Sequence, residues 1–139
     1  VNFLLDTNVI SETMKPRPNL GLLGWLAEAD EDRTFLSVIT LMELRYGVER
    51  MAAGRKRKRL KEWLDHDLPS RFESRILAID ARVADASGRL VARSESLGRP
   101  IDTRDALIAA TAEIHGLVLV TRNVSDFAPT VKELLSPWN

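Results

Sequence analysis

The chain has no cysteine, which excludes disulfides and thiolate metal sites and fits a reducing, cytoplasmic setting. It has only two histidines, His66 and His115, so a multi-histidine zinc centre is not expected. Aromatic residues are scarce at 6%, and Trp25, Trp63 and Trp138 suit core or interface anchoring better than base stacking. No run approaches the roughly 18 apolar residues of a membrane span, and no basic-then-apolar signal segment opens the sequence. A glycine-rich phosphate loop, a G-x-S-x-G elbow and a dinucleotide fingerprint are all missing. Net charge is missing too: 20 basic residues face 20 acidic ones, so nothing draws the whole chain towards nucleic acid.

What is present is ordinary in amount and uneven in arrangement. With 139 residues, 45% of them hydrophobic, one domain spanning 1–139 is expected, with a core that needs no staples. Acidic residues cluster at Glu28, Asp30, Glu31 and Asp32, and basic ones from Arg55 to Lys61.

The opening run Phe3-Leu4-Leu5 reads as a strand buried on both faces, with Asp6 at its carboxyl end. Ligands in open α/β sheets gather just outside that end. A short helix is expected over 8–14, halted by Pro16 and Pro18. Another follows on Leu20, Leu23, Leu26 and Ala27. Residues 34–39 are β-branched and aromatic enough for a second strand. Thr40 and Glu43 have capping-box spacing and predict a helix starting at Thr40. The spacing of Leu60, Trp63, Leu64 and Leu68 predicts a helix over 55–68, closed by Pro69. Residues 76–80 read as a third strand and 83–98 as a helix. Asp102 is expected to cap a fully buried helix over 105–115, with Gly116 as its left-handed stop. Residues 117–121 form a fourth strand, and the tail a loop and short closing element. Strands alternating with helices imply an α/β sandwich on a parallel sheet.

Asp6, Glu43, Asp105 and Asp126 stand where apolar residues predominate or where buried elements begin. Each has a plain structural explanation: an Asx-turn for Asp6, the capping box for Glu43, the positive end of a helix dipole for Asp105, a loop start for Asp126. Together they point elsewhere. Asp6 ends a buried strand and Asp105 heads a buried helix, so both carboxylates converge on the rim of the sheet. Buried anions pair with cations or bind metal, and no lysine or arginine neighbours Asp6 in sequence. A hard divalent ion held by oxygens would satisfy several carboxylates at once.

The segments L-L-D-T-N-V-I-S-E (4–12), S-V-I-T-L-M-E-L-R-Y-G-V (37–48), D-A-L-I-A-A-T-A (105–112) and V-T-R-N-V-S-D-F (120–127) together resemble the ordered motifs of the PIN-domain ribonucleases. The likeness is strongest to the VapC and FitB toxins of bacterial toxin–antitoxin pairs, and it covers essentially the whole chain. The resemblance implies a three-layer α/β/α sandwich with a mostly parallel sheet of about five strands. It implies a magnesium- or manganese-dependent endoribonuclease, with Asp6, Glu43 and Asp105 as metal ligands and either Asp126, as a fourth catalytic acid, or Asn123 completing the site. Thr7, Asn8, Thr121 and Asn123 then support the pocket. Asn123 stands where many of the family have a fourth acid, and Asp126 is the nearest substitute. The resemblance also implies a homodimer, an antitoxin that blocks the pocket, and operator DNA bound through the antitoxin complex. Arg55, Arg57 and Arg59 are candidates for guiding RNA, against the plainer reading of a solvated helix face.

Two other readings compete. A degenerate PIN module acting only in an antitoxin–DNA complex draws on Asn123. A haloacid-dehalogenase-type phosphatase would use Asp6 as covalent nucleophile, but it needs a second acid where Asn8 stands.

Overall fold

A computed structural model describes all of residues 1–139. Five strands form one sheet in the order β3-β2-β1-β4-β5, every neighbouring pair parallel. They are β1 (Phe3–Leu5), β2 (Thr34–Ser37), β3 (Ile76–Leu77), β4 (Val118–Val120) and β5 (Leu134–Leu135). Between them run α1 (Thr7–Thr13), α2 (Leu20–Glu28), α3 (Val38–Arg50), α4 (Arg55–Glu62), α5 (Leu68–Phe72), α6 (Ala81–Ser96), α7 (Thr103–His115) and α8 (Val124–Phe127).

Alternation along the strands builds the two outer layers. Leu4 and Leu119 point into a cluster with Val83, Leu90, Ile108 and Ala109 from α6 and α7. Their strand neighbours Leu5 and Val120, with Leu36 of β2, point the other way, onto Val9, Leu22, Val48, Leu64 and Phe72. Because successive side chains leave a strand on opposite faces, an all-apolar run is what a sheet covered on both sides requires. The three-layer α/β/α sandwich expected from the motifs is the one formed.

Strand order places the site. From β1 the chain moves one way to β2 and β3, then crosses to β4 and β5 on the other side of β1. The reversal falls between β1 and β4, and a crevice opens beyond the carboxyl ends of strands at such a switch point.

Several boundaries differ from expectation for physical reasons. α3 begins at Val38, not Thr40, because Ser37 is its cap: the Ser37 hydroxyl accepts the Ile39 N–H at 3.0 Å. Pro69 does not end the helix begun at Arg55. A π turn at Trp63–Asp67 lets the Leu68 N–H reach back to the Trp63 carbonyl, and the proline then sits in the first turn of α5, where a helix tolerates its ring. β3 stops at Leu77, and Asp80 caps α6 by accepting the Val83 N–H at 3.0 Å. Gly116 is left-handed, at φ 64°, and closes α7 as expected.

Candidate active site

Asp6 leaves β1 as the cap of α1 and is 5% exposed. Its Oδ1 accepts the Thr7 N–H at 2.7 Å. Its Oδ2 accepts the Thr121 hydroxyl at 2.8 Å and the Asn8 amide at 3.3 Å. Every donor is neutral, and no cation is paired with this buried carboxylate. Burial therefore pushes its pKa up, with nearby Glu43 adding to the rise; the bonds from Thr121, Thr7 and Asn8 pull it back down. Asp6 is thus both the cap of α1, through Oδ1, and the link between the β1 and β4 loops, through Oδ2.

Asn8 and Thr121 lock the two loops at the switch point together. The Asn8 amide nitrogen also reaches Thr121 Oγ1 at 3.3 Å, and Asn8 Oδ1 accepts the Arg122 N–H at 3.2 Å. Thr121 Oγ1 further accepts the Asn123 N–H at 3.0 Å. Asn8 thus braces Asp6 instead of supplying the second acid that a dehalogenase-type phosphatase needs. Asn123 contributes its backbone here, and its side chain lies at the exposed start of α8.

Glu43 enters from α3. The expected capping box is not made: Thr40 and Glu43 lie inside the helix, and Thr7 links them. The Thr7 hydroxyl donates to Glu43 Oε1 at 2.7 Å and lies 3.0 Å from Thr40 Oγ1. Glu43 is thereby fixed to the residue that follows Asp6. On its other side, Glu43 Oε2 is 3.9 Å from Arg104 Nη1.

Asp105 stands in the first turn of α7, half-buried. Burial first, then the charges of Asp6, Asp102, Glu43 and Asp126, raise its pKa to about 6. Arg104, the residue before Asp105, has its Nη1 3.9 Å from Glu43 Oε2, so the start of α7 lies beside the Glu43 side of α3. Asp105 and the exposed Asp126 line a cleft of about 470 Å³ with Arg99, Asp102 and Ser125.

The basic run is elsewhere. Arg57 is tied to the far end of α3, donating to the Val48 carbonyl at 3.2 Å and Glu49 Oε2 at 2.7 Å. Arg55 and Arg59 are exposed on the same short helix, and none of the three lines the acidic cleft. Sequence reasoning passed over Thr40, Arg99 and Arg104. Arg104 carried a readable signal, since a cation in a helix's first turn opposes the helix dipole and needs another reason to be there.

No three acidic or imidazole groups lie close enough together to hold a metal ion in this arrangement. The oxygens nonetheless suit one kind of ion. The donor set is all carboxylate, hydroxyl and amide oxygen, arranged as mutually repelling acids around a buried anion with no cation beside it. Magnesium and manganese favour such hard donors, and magnesium takes only one or two carboxylates while keeping several waters. An open rim is where such a hydrated ion would sit.

Comparison with known proteins gives a concordant result. The family model described as PIN domain matches residues 3–129. Toxin FitB of Neisseria gonorrhoeae is 37% identical over 136 residues, which is 98% of this chain and 98% of FitB. VapC ribonuclease Y4jK of Sinorhizobium fredii is 34% identical, over 97% of this chain and 96% of its own. Among solved structures, FitAB bound to an IR36 DNA fragment superposes with a TM-score of 0.93 at 34% identity, covering 99% of this chain and 96% of that one.

Proposed function

This chain belongs to the PIN-domain family, and from that premise we propose that it is the toxin of a toxin–antitoxin pair, an endoribonuclease that hydrolyses RNA phosphodiester bonds. The observation that carries the reading is the joining of Asp6 and Glu43 through Thr7 at the switch point, with Asp105 next to the Arg104 that lies 3.9 Å from Glu43. Similarity to a ribonuclease and to a toxin seen in complex with DNA supports it.

Asp6, Glu43 and Asp105 would hold a hydrated magnesium or manganese ion, with Asp126 at the cleft's outer wall. When bound, the ion supplies Lewis acidity to the phosphodiester and makes an attacking water easier to ionise. The chain's own residues set the geometry. Asp6 is held by three donors, Glu43 by Thr7, and Asp105 by the rigid, buried α7. Such positioning keeps the acids from drifting apart under their mutual repulsion, which the unloaded site does not relieve. Single-stranded or looped RNA is the expected substrate, because its backbone is accessible to a cleft.

The chain is expected to act as a homodimer, restrained by an antitoxin whose basic side chain can answer the acidic pocket and through which the pair meets operator DNA. No helix is long and apolar enough to cross a membrane. The open rim lends some support to a second reading, a module without catalysis whose acids serve only partner binding.

One experiment separates the two readings. The chain, purified free of antitoxin, is incubated with structured RNA and manganese, with and without chelator. Cleavage that chelator abolishes and Asp6→Asn loses is the expected result. Intact RNA throughout, with no manganese binding by calorimetry, would leave the non-catalytic module.

A further inference from the structure

An acidic cleft repels a polyanion, so a nuclease built on Asp6, Asp105 and Asp126 needs cations where the substrate's flanking phosphates pass. The run at Arg55, Arg57 and Arg59 does not supply them at the cleft, since Arg57 is bound to Val48 and Glu49 and the others lie on the same distant helix. Several other arginines are engaged as well, whereas Arg17, Arg82 and Arg122 line no part of the cleft. Arg45 pairs with Asp65, Arg71 with Glu31 and Arg89 with Asp85, while Arg75 holds the Thr34 and Arg71 carbonyls.

Arg99 at the cleft and Arg104 beside Glu43 are different. Arg99 lines the cleft directly, and of its donors only the backbone N–H is used, to the Ser94 carbonyl at 2.9 Å. Its guanidinium has no partner within the chain. Arg104, the residue before Asp105, lies between Asp102, 3.4 Å from Nε, and Glu43, 3.9 Å from Nη1, with about half its side chain in solvent. Neither separation from a carboxylate is that of a tight fork, and the position opposes the α7 dipole. A guanidinium placed at a dipole's unfavourable end, loosely shared by two acids, is poised for a better anion.

We infer that Arg99 and Arg104 hold the RNA phosphates on either side of the scissile one, and that this pair, not the basic run, is the substrate track. The inference rests on the ribonuclease reading. Both residues position the substrate; neither touches the reacting atoms.

The test is binding of a short fluorescein-labelled single-stranded RNA, followed by anisotropy in chelator so that cleavage plays no part. Removing one phosphate contact should flatten the log–log salt dependence by about 0.7, equivalent to roughly fivefold weaker binding at 0.1 M salt. Arg99→Gln and Arg104→Gln are each expected to show that change, with Arg99→Lys and Arg104→Lys recovering much of it. In metal-loaded cleavage assays the Gln variants should raise KM with kcat little altered. Arg55→Gln and Arg59→Gln serve as comparison. Parental binding and salt slope in the cleft variants, with the loss falling instead on Arg55 and Arg59, would overturn the inference while leaving the ribonuclease reading intact. A parent that neither binds nor cleaves RNA would end both.

Discussion

Thr7 donates its hydroxyl to Glu43 Oε1 at 2.7 Å, joining two residues 36 positions apart. The backbone N–H of the same threonine donates to Asp6, so one small residue fixes the spacing between two acids that repel each other. Thr7→Val keeps the shape and removes the hydroxyl. RNA cleavage is expected to fall about ten- to a hundredfold, as for other partners that orient a metal ligand, and Thr7→Ser should restore most of it. A Val variant with parental cleavage rates would show that Glu43 needs no tether.

Asp6→Asn tests the centre of the pocket. An amide keeps one acceptor, for the Thr121 hydroxyl, and removes a buried charge whose pKa burial has raised, but it sets an NH2 against the Thr7 N–H that Oδ1 now accepts. The two effects oppose, so stability in chelator near neutral pH should stay within about 1–2 kcal/mol of the parent, while calorimetry shows manganese affinity reduced and cleavage lost. Unchanged affinity would remove Asp6 from the ligand set.

Asp105 makes metal-free stability depend on pH. Its pKa is raised from the ordinary 3.8 to about 6, so the folded chain keeps a proton that the unfolded chain has released. That contribution is fully present below about 3.8 and is lost as pH rises through about 6. In chelator, Asp105→Asn should melt above the parent at about pH 8. The gap should close as pH falls through the same window. Screening of a half-buried group limits the effect to on the order of 1 kcal/mol. A constant difference between the two melting temperatures at every pH would count against this assignment.

Leu4 and Leu20 make a contrasting pair, the first wholly buried at the sheet's centre and the second 76% exposed. Leu4→Ala should cost about 2–5 kcal/mol through lost burial and a residual cavity. Leu20→Ala should stay within about 0.5 kcal/mol. Urea denaturation measures both.

The layers were legible because they rest on strong signals. An all-apolar Phe3-Leu4-Leu5 admits few readings besides a doubly covered strand, and the helix from Asp102 to Gly116 carried both its cap and its stop. Local rules failed where tertiary contacts outweighed them. Thr40 and Glu43 have capping-box spacing, yet Ser37 takes the cap, and Thr7 from another part of the chain claims both side chains. Pro69 breaks helices in general, and only the π turn ahead of it, invisible in composition, makes room. β5 is two residues long, and what makes it a strand is pairing with β4, a fact no local pattern contains. The basic run drew attention by its density, whereas Arg99 and Arg104 matter by location.

The all-parallel sheet has a consequence for the timing of synthesis. Asp6 waits for Thr121, 115 residues further along the chain, and parallel pairing across long crossovers is slow because loops must close before contacts reward them. A ribosome-bound chain ending before β4 possesses Asp6, Thr7 and Glu43 but lacks the strand that completes the crevice. Such a nascent fragment should be inert towards RNA, so activity awaits the emergence of β4.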